Sequence, residues 1–156
     1  HVKVAGNYAA GLHPNIIAKK MGYPIVLYLD AKTRSFIDEF GTSNFIAIDK
    51  KGAYVTPDSA TILPSITNKS LMAIAKDMGI KVEKRPVAIK ELKNFVEVGA
   101  CGTAVVITPI EAIKYNNMEW SFPDSDKGIL KRLYERLVGI QSGEIKDKFG
   151  WLKKCC

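Results

Sequence analysis

The amine of Lys3, the phenol of Tyr8, the carboxylate of Glu39 and the hydroxyls of Thr67 and Thr103 are the side chains with chemistry to offer. An amine can bond to a carbonyl or carry a proton, and a carboxylate can hold a cationic nitrogen. Taken singly, none of them selects a reaction. A lysine is most often a surface residue, a glutamate a solvated one, and a tyrosine a half-buried member of a core. Ile66 and Thr67 stand where a strong helical pattern begins. Backbone N–H groups at that position face an anion and the helix dipole adds to the attraction, although threonine is also an ordinary cap. Small residues in Cys101-Gly102-Thr103-Ala104 permit a ligand to come close to the backbone, as they also permit a plain tight turn. There is no GxGxxG, no P-loop, no GxSxG and no HExxH. The histidines and cysteines are not at ligand spacing, so no metal site is expected.

The elements that must position these groups can be read from periodicity. Pro14 predicts a helix that starts near it, or is kinked by it, and stops at Gly22. Ile25 to Leu29 reads as a buried strand and Ser35 to Asp38 as a second. Asn44 to Asp49 and Ala53 to Thr56 flank Lys50-Lys51-Gly52, which predicts a hairpin. Leu71, Ile74, Ala75 and Met78 define one face of a helix over Thr67 to Met78, stopped by Gly79. Ile80 to Arg85 is strand-like and Ile89 to Phe95 a short helix. Val96 to Ala100, Ala104 to Thr108, Ala112 to Tyr115 and Met118 to Ser121 are further strands. Asp126 to Gln141 is a second strong helix, with Ile129, Leu130, Leu133, Leu137 and Ile140 on one face. Hairpins mixed with helices exclude a purely alternating βαβ sheet and predict an α+β fold with a mixed or antiparallel sheet.

Composition is that of a globular domain, with 47% apolar and 25% charged residues in 156. No apolar run approaches the roughly 20 residues of a membrane span, and the first residues lack the layout of a leader. The odd count of three cysteines does not describe a disulfide framework, so a reduced, cytoplasmic setting is expected. The net charge of +7 comes from lysines spread along the chain. It does not predict nucleic-acid binding, and it suits anionic substrates and a phosphate-bearing cofactor.

Order and context supply what single residues do not. Lys3-Val-Ala-Gly-Asn-Tyr8, Asp38-Glu-Phe-Gly-Thr-Ser-Asn-Phe45, Ile62-Leu-Pro-Ser-Ile-Thr67, Cys101-Gly-Thr-Ala104 and Gly139-Ile-Gln-Ser-Gly143 with Asp147 and Gly150-Trp151 follow one another along the chain. Together they resemble the branched-chain amino acid aminotransferases, pyridoxal-phosphate enzymes of fold type IV. The resemblance implies the large domain of the D-amino-acid aminotransferase-like fold, a mixed or antiparallel pseudo-barrel sheet with packed helices. Residues 1–156 would be the C-terminal cofactor-binding domain, without the small N-terminal domain of the family. That domain carries an arginine for the cofactor phosphate and much of the substrate pocket, so these residues alone are expected not to turn over at a useful rate.

The resemblance also assigns roles. Lys3 would bond covalently to the aldehyde of pyridoxal 5'-phosphate and later move the substrate proton. Glu39 would face the pyridine nitrogen and Tyr8 the phenolic oxygen. Ile66, Thr67 and Thr103 would hold the phosphate, and the N–H groups of Ala104 and Val105 the substrate carboxylate. The implied reaction passes the amino group of leucine, isoleucine or valine to 2-oxoglutarate, giving glutamate, in a homodimer. Departures from the family pattern are Ser65 in place of glycine, Asn68 in place of arginine, and His13-Pro14 within a helical segment. Mammalian members carry a Cys-x-x-Cys pair after the turn, where Val105 and Thr108 stand here, so no disulfide switch is expected. The alternatives are a D-amino-acid aminotransferase, an aminodeoxychorismate lyase, or a non-catalytic binding module. Borohydride reduction in the presence of pyridoxal phosphate should fix the label on Lys3. Peptide mapping that finds it spread over the other lysines in proportion to their number would remove the assignment.

Overall fold

A computed structural model describes residues 5–123 and 127–153. Lys3, Asp126, Cys155 and Cys156 therefore lie outside the described residues. A 3-10 turn at Ala5–Tyr8 runs into helix α1 (Ala9–Lys20). Strands β1 (Leu27–Leu29), β2 (Ile37–Phe40), β3 (Ser43–Asp49) and β4 (Tyr54–Pro57) precede helix α2 (Ile66–Asp77). Strand β5 (Val82–Arg85), a 3-10 turn (Ile89–Asn94), and strands β6 (Phe95–Gly102), β7 (Val106–Pro109), β8 (Ala112–Tyr115) and β9 (Met118–Ser121) lead to helix α3 (Ile129–Ser142). The expected α+β class holds, and so does the mixed sheet: all its pairs are antiparallel except β4 with β5. Among the described residues no helix is long and apolar enough to cross a membrane.

Strand β3 is the spine of the seven-stranded sheet. One edge pairs with β6 from Asn44 opposite Cys101 to Asp49 opposite Phe95. The other edge is divided: β2 takes Ser43 and Asn44, and β4 takes Ala47 and Ile48. Side chains alternate between faces. Ile46 and Ile48 join Leu71, Ile74, Leu133, Leu137 and Ile140 under the two helices. Phe45 and Ala47 join Phe40, Val55, Phe95, Ile113 and Phe122 on the opposite side, against the β8–β9 hairpin. Helix α3 starts at Gly128, which has no capping side chain; the Glu97 carboxylate of β6 accepts from the N–H groups of Ile129 and Leu130, both at 2.8 Å.

Several boundaries differ from the sequence reading. Helix α1 begins at Ala9 and passes through Pro14. A proline forfeits one helical donor, and this helix has no buried residue whose packing a local distortion would disturb. Strand β1 is shorter than expected and only half-buried, and β2 lies two residues further on. The Asp30 carboxylate fixes the loop between them, accepting from the N–H groups of Thr33, Ser35 and Phe36. Those bonds, Phe36's first, hold its carboxyl well below the usual range. Ala104 and Val105 fall in the turn before β7. Helix α2 begins one residue early because its cap is Ser65, whose hydroxyl accepts from the N–H of Asn68 at 3.1 Å. Gly79, at φ 73°, ends it as expected.

At the fork in β3 the carbonyl of Phe45 lies between the two partner strands. Thr56 donates to it at 2.9 Å. Asn68 in turn donates to Thr56 at 2.9 Å and accepts from the Tyr54 hydroxyl at 2.7 Å. All of these residues are buried. Asn68→Ala should lower stability to urea by about 1–3 kcal/mol, because it strands the Tyr54 hydroxyl in the core. Tyr54→Phe added to that variant should cost little more, since its hydroxyl has already lost its partner.

Candidate active site

Strand pairing, rather than proximity in sequence, gathers the candidate residues. The β2–β3 hairpin pairs Phe40 with Ser43 and Glu39 with Asn44, around a turn of Gly41 and Thr42. Directly paired residues project to the same face. Asn44 also pairs with Cys101 across the β6 edge, so Glu39, Asn44 and Cys101 form a row across three strands. The amide of Asn44 donates to Glu39 at 3.2 Å and to the carbonyl of Leu63 at 3.1 Å. It thereby holds the segment before α2 against the same row.

That segment ends in the start of helix α2, capped by Ser65. Ser65 uses its hydroxyl on the Asn68 N–H, and the first intrahelical bond runs from the Lys69 N–H to the Ser65 carbonyl. The N–H groups of Ile66 and Thr67 precede that bond and have no helical acceptor. Ile66 is exposed and Thr67 half-buried. The sequence reading allowed Thr67 to be the cap; the cap is Ser65, so the Thr67 hydroxyl is not committed to that task. The departure at Asn68 also has a physical account: its side chain is buried in the polar chain beneath α2, a position with no room for an exposed cation.

Cys101 and Gly102 end β6, and Thr103, Ala104 and Val105 form the exposed turn that follows. A Cβ at Gly102 would lie in ordinary contact, 3.7 Å from Ser43 Cβ and 4.0 Å from the Thr42 carbonyl oxygen, so protein packing does not demand glycine there. Val106 takes φ 62° although it is β-branched and buried, and the Ile107 N–H closes a three-residue turn onto the Val105 carbonyl at 2.7 Å. Such a conformation costs about 1–3 kcal/mol and persists only where surrounding structure imposes it. Among the described residues, none of the backbone turn hydrogen bonds starts from the N–H of Ala104 or Val105.

Tyr8 closes the 3-10 turn that leads into α1 and is partly exposed. The helix approaches the Gly41 turn closely: a Cβ at Gly11 would lie 2.7 Å from the Tyr28 hydroxyl, and one at Gly41 would lie 3.6 Å from the Tyr28 ring and 3.8 Å from Asn15. Helix α1, which follows Tyr8, thus comes close to the Gly41 turn that lies two residues beyond Glu39. A cavity of about 630 Å³ opens between α1 and the β8–β9 hairpin, and another of about 210 Å³ lies beside Val105. Glu39, Asn44, Thr67 and Thr103 line neither of these two cavities; they form a shelf that runs from buried Asn44 through half-buried Glu39 and Thr67 to exposed Thr103.

The sequence model of the family Amino-transferase class IV matches residues 2–113. The chain belongs to the class IV aminotransferases. It is 47% identical over 152 residues to a branched-chain-amino-acid aminotransferase of Helicobacter pylori, covering 97% of this chain and 44% of the relative. The branched-chain amino acid aminotransferase from Escherichia coli superposes with a TM-score of 0.82 at 28% identity, over 97% of this chain and 50% of that one. The branched-chain amino acid aminotransferase from Thermobaculum terrenum in its PLP-form gives 0.82 at 28%, over 97% and 48%. This class IV chain therefore spans about half the length of the relatives it matches.

Sequence reasoning named Glu39, Ile66, Thr67 and Thr103 but assigned nothing to Asn44, Leu63 or Ser65. The five-residue spacing from Glu39 to Asn44 was the available signal, since a two-residue turn places those positions opposite each other. Cys101 is fully buried, and burial pushes its thiol up to about 12, against a smaller opposing effect of a Ser65 hydrogen bond. A folded value raised above the unfolded one gives stability that is complete below pH 9 or so and is lost as the pH climbs towards 12. The stability difference between the wild type and Cys101→Ala should therefore move against the wild type between pH 8.5 and about 11. Parallel denaturation curves across that window would contradict the buried thiol.

Proposed function

We propose that this chain is the cofactor-binding domain of a pyridoxal-phosphate-dependent aminotransferase. The whole protein would pass the amino group of leucine, isoleucine or valine to 2-oxoglutarate, giving branched-chain 2-oxo acids and glutamate. The observation that carries the reading is the shelf itself: a carboxylate, a helix start and a glycine turn brought together by three strands, in a class IV aminotransferase. The residues fit the cofactor. A half-buried carboxylate suits a ring nitrogen, and N–H groups without a helical acceptor, beside threonine hydroxyls, suit a phosphate. The exposed turn of Thr103 to Val105, next to Gly102, leaves room for the group.

When bound, pyridoxal phosphate supplies a ring that withdraws electrons from the substrate α-carbon. Glu39 would keep a proton on the ring nitrogen, and Tyr8 would donate to the phenolic oxygen. The N–H groups of Ile66 and Thr67, with the hydroxyls of Thr67 and Thr103, would hold the phosphate. The N–H groups of Ala104 and Val105, unclaimed by turn bonds, would hold the substrate carboxylate. Lys3 would carry the proton at its amine. The bent, strained backbone at Val106 is a further reason to place function at this turn.

The apolar side chains of Leu12, Ile16 and Ile17 on α1 and of Met21 at its C-cap are exposed, and so is the Thr103 to Val105 turn of the shelf. We infer that a small domain and a second subunit cover them in the whole protein, which we place in the cytoplasm on the strength of the free, buried Cys101 thiol. The substrate preference rests on the names of the relatives, all branched-chain enzymes in the comparisons given above.

The test is turnover by the full-length protein with saturating cofactor and 2-oxoglutarate. Leucine, isoleucine and valine should be used far better than D-alanine, and faster turnover of D-alanine would reverse the choice between family members. Glu39→Gln should lower kcat about 100-fold or more, the scale of removing a proton-holding group. Wild-type rates in that variant would remove Glu39 from the mechanism.

A further inference from the structure

We propose that Asn44 is a positioning residue that sets two separate cofactor contacts at once: the orientation of the Glu39 carboxylate and the placement of the phosphate-binding helix start. The proposal rests on the reading that Glu39 faces the ring nitrogen and that α2 meets the phosphate.

Asn44 is buried, and its register leaves it little freedom. Its backbone is clamped between Glu39 on one side and Cys101 on the other. Its amide has two N–H groups, and both are used. One goes to Oε2 of Glu39 at 3.2 Å, and the other to the Leu63 carbonyl at 3.1 Å. Both partners are acceptors only, so the amide must present its nitrogen to them. A hydroxyl has one proton and could serve only one of the two. A carboxylate of the same shape could serve neither, and would set charge against charge.

The two bonds lead to different ends of the cofactor. Glu39 sits at the end of β2, and a ring-nitrogen partner works by the direction of its oxygens. Leu63 lies two residues before the Ser65 cap, in the segment that delivers the N–H groups of Ile66 and Thr67. An Asn44 substitution should therefore have two separable consequences. Groups that hold a reacting centre in place commonly matter by about 10–100-fold.

The experiment uses the full-length holoenzyme and its apo form. Asn44→Ala should lower kcat about tenfold, leave KM for leucine within about twofold, and raise the dissociation constant for pyridoxal phosphate by about tenfold. Asn44→Asp, of equal size, should be worse than Asn44→Ala on both counts. The visible band of the bound cofactor should change its pH profile in both variants. In the apo protein, amide exchange at residues 62–67 should quicken. Leu133→Ala is the control for plain destabilisation: it should lower the melting temperature without moving the pH profile. On a Glu39→Gln background, Asn44→Ala should lose its effect on kcat and keep its effect on cofactor affinity.

If Asn44→Asp performs as well as Asn44→Ala or better, or if Asn44→Ala moves only the melting temperature, the positioning role is wrong. If Glu39→Gln itself leaves kcat and the pH profile unchanged, the fault lies in the reading of Glu39 instead. An Asn44 effect on affinity alone, with kcat intact, overturns the link to Glu39.

Discussion

The fork in β3 is the constraint on which the rest of this structure depends. A strand that exchanges one neighbour for another along a single edge leaves a carbonyl between them, and here that carbonyl belongs to Phe45, deep in the core. An unmet buried carbonyl costs about as much as a lost hydrogen bond. Thr56 meets it, Asn68 meets Thr56, and Tyr54 meets Asn68. The same Asn68 gives its backbone N–H to Ser65 at the start of α2. One polar chain thus fixes where the two strands part and where the helix begins. Its value lies mainly in specificity, since each net bond is worth only about 1 kcal/mol. Its members are costly to leave unpaired, so alternative registers of β2, β4 or α2 are penalised together.

The shelf is assembled on the same strand. Glu39 lies opposite Asn44 in the last β2–β3 pair before the fork, while β6 on the far edge brings Cys101 and the turn of Thr103 to the same row. The helices that bury Ile46 and Ile48 from one side deliver the N-terminus of α2 to that row. The candidate groups therefore come from a hairpin, a loop and a strand end that share no local sequence. Sheet pairing holds the backbone of Glu39 and Asn44, and the Asn44–Leu63 bond ties the loop before α2 to that rigid frame, which places groups more precisely than a free loop would.

Two features of the shelf run against stability. Val106 holds a left-handed backbone that a β-branched residue resists, and α1 shows several large apolar side chains to solvent. The first is offset by burial of the same valine beside Ile107 in the helix-covered core. The second is not offset among the described residues, and the chain spans about half the length of its relatives. The net charge of +7 gives the protein a mild attraction for anions.

Periodicity in the sequence determined the helices α2 and α3, because each buries one face and its buried residues recur at the spacing of that face. The β3–β4 hairpin, buried on both faces, was legible instead from continuous β-rich runs on either side of a glycine-containing loop. The ordered motifs determined the family and nominated Glu39, Thr67 and Thr103. Tertiary structure alone decided the rest. That Ser65 rather than Thr67 caps α2 depends on a loop held by Asn44 from nineteen residues away, and no local pattern records it. Nor could local pattern tell that Asn68 is a buried link, since an asparagine after a cap is ordinarily solvated. Helix α1 starts before Pro14 because an exposed helix with no buried residue tolerates the lost donor, and exposure is a property of the fold. The strand pairing that gathers the shelf is a matter of which strands meet which edge, and edges are chosen only when distant segments pair.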